Sequence, residues 1–101
     1  MKLALVPTGA FTRDLNRMAR RHVPLEPVEE VLDLVAENSE ASLHTLKAHH
    51  RMHSCKVMAA VHECHVDNAG DLLLVWNREG GAAYMLRLGS HDQVLGRRGG
   101  Y

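Results

Sequence analysis

Leu72-Leu73-Leu74-Val75-Trp76 is a continuous apolar run with turn-forming residues on both sides. Asp67-Asn68-Ala69-Gly70 precedes it and Glu79-Gly80-Gly81 follows it, both rich in residue types that favour turns. A strand with one wet face alternates apolar and polar side chains, so a run without alternation predicts a central strand buried on both faces. Beyond Gly81, Ala82 to Leu88 predicts the next strand. Before Asp67, the segment from Cys55 to Val66 ends in alternating polar and apolar residues and predicts the preceding one. Three successive strands joined by tight turns form an antiparallel meander.

Such a sheet needs cover, and the upstream half of the chain supplies it. Pro7-Thr8-Gly9 ends the short apolar run Leu3-Ala4-Leu5-Val6, which predicts a first strand. Thr12 is the expected cap of a first helix, with Asp14 as a favourable charge in its first turn. Phe11, Leu15, Met18 and Ala19 recur at helical spacing, and Arg13, Arg17, Arg20 and Arg21 take the other face. The prolines of Val23-Pro24-Leu25-Glu26-Pro27 break that pattern, because proline disfavours helix in the residue before it. A second helix is expected from near Pro27, with Val28, Val31, Leu32, Val35 and Ala36 as its apolar stripe and Asn38-Ser39 at its end. Over residues 40–54, Leu43 and Leu46 fit either a short helical turn or a loop. The expected fold is α+β: a first strand, a helical hairpin, then the meander, with the first strand completing a four-stranded sheet. One domain over residues 1–101 is expected, with a flexible tail over residues 97–101.

Composition narrows the function. Hydrophobic residues at 46% and charged residues at 24% are ordinary for a globular domain and exclude a disordered chain. No apolar run approaches the ~20 residues of a membrane span, and the N-terminal run is too short for a signal-peptide core. A cytoplasmic protein without a membrane partner is therefore expected, with Cys55 and Cys64 as free thiols. Net charge is formally zero but unevenly placed. Residues 41–101 carry seven basic and five acidic side chains and seven of the eight histidines, so partial protonation makes this half positive and suits it to an anionic partner such as RNA.

Two of those histidines, His65 and His91, fall with Asp71 at the ends of the three predicted strands. Histidine titrates near neutrality, so two beside a carboxylate can take and return protons. The plainer alternative is a set of solvated strand ends. A third possibility is zinc, because His49, His50, His53, Cys55, His62, Cys64 and His65 are soft enough donors. Their spacing, however, is neither Cys-x-x-Cys nor His-Glu-x-x-His.

In order along the chain stand His50-Arg51-Met52, Glu63-Cys64-His65-Val66, Asp71 with its apolar strand, and Arg87-Leu88-Gly89-Ser90-His91. This order resembles the RelE/ParE toxin superfamily, and within it the YafQ-like ribosome-dependent mRNA interferases. The resemblance implies a RelE-like fold in a type II toxin that enters the ribosomal A site. It implies cleavage of mRNA by the RNA's own 2′-OH, without metal or cofactor. It further implies catalytic roles for His50, His65, Asp71 and His91, and substrate contacts by Arg87, Arg51 and Leu95. A cognate antitoxin, the ribosome and mRNA are the implied partners. Leu72 and Leu95 stand where that family usually has aromatics, and the segments before Glu63 and Asp71 are each about two residues longer than usual. The ParE branch, which shares the architecture and poisons DNA gyrase without the nuclease residues, and a non-catalytic relative are the alternatives within the superfamily.

Overall fold

The computed structural model describes residues 1–54, 60–67 and 71–95. The apolar run forms the middle of β4 (Leu72–Glu79), which lies at the centre of a sheet with β3 (Val61–His65) on one side and β5 (Ala82–Ser90) on the other. Both pairings are antiparallel, as a meander requires. Gly80 adopts a φ of 59° in the β4–β5 turn, a conformation that costs a side-chain-bearing residue more than it costs glycine. The first strand, β1 (Ala4–Pro7), lies parallel to β5 at one edge. A two-residue strand, β2 (His53–Ser54), pairs with β3 at the other edge. The described sheet is thus five-stranded, one strand more than expected. The added strand lies in the stretch where periodicity is silent, since two residues show no period. Of the expected strand from Cys55 to Val66, Val61–His65 is observed, and residues 55–59 lie outside the described residues.

Three helices, not two, cover one face: α1 (Gly9–Arg20), α2 (Glu26–Glu37) and α3 (Glu40–His50). Ser39 starts α3 with a reciprocal capping box, its hydroxyl accepting from the Ser42 N–H while the Ser42 hydroxyl accepts from the Ser39 N–H. Asn38, in the left-handed region, ends α2 one residue earlier. The Asn38-Ser39 pair is therefore a stop and a start together. The first helix begins at Gly9 with Thr8 as its cap, four residues ahead of the expected Thr12. Tertiary contact decides the choice. The Thr8 hydroxyl accepts from the Phe11 N–H at 3.2 Å and donates to the Met85 carbonyl of β5 at 2.7 Å, so one side chain closes both helix and sheet. A short fourth helix, α4 (His91–Leu95), follows β5 directly.

The helices pack Phe11, Met18, Val28, Val31, Val35 and Leu46 against Cys64, Leu74, Trp76, Met85 and Leu88 of the sheet. On the opposite face Val61 and Val75 pack with Val94 of α4. Both faces of β4 are thus covered, which is why its sequence does not alternate. Between Val75 and Trp76 the β4–β5 register slips by one residue, leaving Leu86 as the extra residue of a bulge. The slip lets Met85 and Leu88 both reach the helical core.

Candidate active site

Strand register gathers the candidate residues at one end of the sheet. His65, Leu73 and Gly89 form one row across β3, β4 and β5, a width of about 10 Å at ~4.8 Å per strand. Leu72 pairs with Ser90 in the next row, so Asp71 just precedes and His91 just follows that pair. The last residue of α3 joins them: His50 Nδ1 lies 2.9 Å from the His65 carbonyl. A carbonyl only accepts, so Nδ1 carries the proton and donates. Nε2 of the neutral ring is left free to accept one. His50 and His65 are half-buried, whereas Asp71 and His91 are exposed.

The competing histidines are placed elsewhere. His49 is exposed on α3. His53 has both ring nitrogens facing acceptors, Nε2 at 2.6 Å from Glu63 and Nδ1 at 3.1 Å from the Arg51 carbonyl. His62 lies across from Trp76 with ring centres 5.7 Å apart and contacts the Ser54 hydroxyl. Burial, with the nearby charge of Arg78, pushes its pKa down. Cys64 is fully buried, and burial, assisted by the charge of Glu63, pushes its thiol up to about 12. Such a thiol is a core side chain and a poor thiolate donor. Among the described residues no three His, Cys, Asp or Glu side chains converge on one point that would hold a metal ion.

His91 is held by its neighbours. The Ser90 hydroxyl accepts from the Gln93 N–H at 3.2 Å and the Gln93 side-chain oxygen Oε1 accepts from the Ser90 N–H at 3.0 Å, a capping box that fixes the first turn of α4. Gly89 lies close under α4: a Cβ there would meet the Gln93 Oε1 at 2.8 Å and its Cβ at 3.3 Å, so a larger residue would require the Gln93 side chain to shift. Arg51 is exposed in the left-handed cap of α3, beside His50. Leu95 ends α4, and its side chain lies outside the described set.

Arg87 has a partner that the sequence reading did not foresee. Its Nε donates to Asp14 Oδ2 at 2.8 Å and its Nη2 to Oδ1 at 3.3 Å. Asp14, only 2% exposed, also accepts from the Leu88 N–H at 2.9 Å and lies 3.4 Å from Arg17. It is not the first-turn charge expected from a helix starting at Thr12. Burial pushes its carboxyl up, but the Arg87 and Leu88 hydrogen bonds and the charges of Arg87 and Arg17 outweigh this and hold it below the usual value. β1 ends at Pro7, so among the described residues no strand lies beside the outer edge of β5 beyond Met85. There the Asp14 carboxylate takes the strand's N–H. One signal was legible: Asp14 falls on the same stripe as Phe11 and Met18, where an apolar residue is the rule.

The sequence matches, over residues 3–96, the family described as the YafQ bacterial toxin of type II toxin–antitoxin systems. The chain belongs to that family. No curated protein matches it. Among solved structures, the E. coli YafQ of the DinJ–YafQ toxin–antitoxin complex is 17% identical with a TM-score of 0.77, covering 93% of this chain and 98% of that one. A copper-bound mutant toxin from Helicobacter pylori is 22% identical with a TM-score of 0.77, covering 91% and 98%. YoeB from Staphylococcus aureus is 12% identical with a TM-score of 0.65, covering 90% and 99%. At these identities the likeness is one of fold, and the fold is RelE-like. No described helix of this YafQ-family toxin is long and apolar enough to cross a membrane.

Proposed function

We propose that this toxin is a metal-independent endoribonuclease that cleaves mRNA in the ribosomal A site and is silenced by a cognate antitoxin. The observation that supports this most is the convergence of His50, His65, Asp71 and His91 on one end of the sheet, from α3, β3, the residue before β4, and α4. In the proposed reaction a base takes the proton of a 2′-OH, the freed oxygen bonds to the adjacent phosphorus, and the bond from phosphorus to the 5′-oxygen breaks. An acid protonates the departing oxygen, leaving a 2′,3′-cyclic phosphate and a 5′-OH. Imidazoles suit both roles near neutral pH. With Nδ1 tied to the His65 carbonyl, His50 offers Nε2 for such an exchange. His91, exposed at the rim, offers a second group, and Asp71 one that can orient a ring or act as a base. Arg87 keeps three of its five N–H donors after pairing with Asp14, enough to hold a phosphate oxygen while anchored. The antitoxin is proposed by family membership, and the cytoplasm is the proposed compartment because ribosomes work there.

Mapping mRNA 5′ ends in a translation reaction, with and without the protein, tests the reading. Codon-aligned cuts that require ribosomes are expected, and expression without an antitoxin should arrest growth. His65→Ala or His91→Ala should relieve the arrest. Two fully toxic mutants would remove the catalytic assignment, and gyrase inhibition without cleavage would favour the ParE-like alternative.

A further inference from the structure

Beside the proposed catalytic rim lies a cavity of about 190 Å³ that the cleavage chemistry does not use. It opens between the second half of α1 and the end of the sheet. Met18, Leu72 and Leu88 form its apolar wall, Gly89 lies at its sheet side, and Arg17 and Arg21 stand over it. Leu72 is the residue after Asp71, and Gly89 is two before His91, so the cavity lies at the same end of the sheet as the reacting groups. Its charge is not cancelled locally. Asp14 is the one carboxylate of the lining and Arg87 already neutralises it, so Arg17 and Arg21 leave two positive charges in excess. The volume falls below the about 300 Å³ at which pockets for drug-sized ligands begin. It has room for a ribose or a base, not for an oligomer, with the arginines at its mouth. Leucine at position 72 matters to this space, because a ring there would project into it.

We propose that this cavity is a nucleotide subsite of the RNA-cleaving site. It would take the nucleotide next to the scissile phosphodiester, with that nucleotide's phosphate on Arg17 and Arg21 and its ribose or base against Met18 and Leu72. Guanidinium groups match phosphate oxygens in geometry, and an apolar wall accepts the face of a sugar or base without sequence preference. The proposal rests on the RNA-cleaving reading for its substrate. It assigns to α1 a substrate role that the His and Asp cluster lacks.

The test is an NMR titration of the intact protein with a 2′-deoxy trinucleotide, which has no 2′-OH and cannot be cleaved by the proposed route. Saturable shifts of the Leu72, Leu88 and Gly89 amides are expected. Arg21→Gln, at an exposed position that leaves the fold intact, should weaken binding about tenfold, with Arg17→Gln as a second variant. A methylphosphonate trinucleotide, lacking the charge, should not bind. Shifts absent or confined to other parts of the molecule, affinity in both arginine variants unchanged from the unsubstituted protein, or equal binding of the uncharged analogue would overturn the subsite. Ribosome-dependent cleavage measured in parallel separates the two claims. Cleavage without binding at these amides removes the subsite alone. Binding there without any cleavage removes the nuclease reading and leaves a nucleotide site.

Discussion

A single carboxylate, Asp14, ties α1 to two consecutive residues of β5, Arg87 and Leu88, and faces Arg17 on its own helix. Its burial is tolerable because every partner is a donor or a cation. Asp14→Asn should lower stability near neutral pH by about 2–4 kcal/mol, since it leaves Arg87 without its counter-charge. The pH dependence has a definite sign. The folded carboxyl titrates below its ordinary 3.8, so its contribution is complete above that value and is lost as pH falls through the lower, folded one. Urea unfolding of both proteins should show a gap near neutrality that narrows below about pH 4. An equal gap at both pH values would contradict the ion pair. The sequence showed Asp14 as a polar residue on an apolar stripe but not its partner, because Arg87 is 73 positions away.

At the scale of elements, helix starts decide how the cover sits on the sheet. Thr8 caps α1 while its hydroxyl also donates to the Met85 carbonyl. Thr8→Ala should therefore cost about 1–2 kcal/mol, the range of a lost N-cap. Thr12→Ala, at an exposed site with one bond to the Thr8 carbonyl, should cost under about 0.5 kcal/mol. Chemical denaturation of both variants measures the contrast, and equal losses would return the cap to Thr12. Both threonines precede a plausible first turn, so local pattern alone could not rank them. The Ser39-to-Ser42 capping box of α3 lies wholly within four residues. It was legible, yet it was masked by reading Asn38-Ser39 only as an end.

For the whole molecule, the order β1-β5-β4-β3-β2 places the strand with the most continuous apolar sequence in the middle and the shortest strand at an edge. Native-state hydrogen exchange should follow that order, with amides of Leu73 to Trp76 slowest and those of His53 and Ser54 among the fastest in the sheet. Comparable protection of β2 and β4 would mean that the edge is covered in solution. The meander, the two helical stripes and the order of the histidine and aspartate motifs were readable from the chain itself, because each depends on periods and turns within about a dozen residues. Strand register then follows from short turns, which is why Asp71 and His91 were already expected near His65. Tertiary structure alone decided the parallel docking of β1 on β5, the Asp14–Arg87 pair, the contact of His50 with the His65 carbonyl, and the basic cavity at that end of the sheet. Each of these depends on groups far apart in sequence meeting at one place. No local period records such a meeting, because it is set by how the helices pack across the sheet.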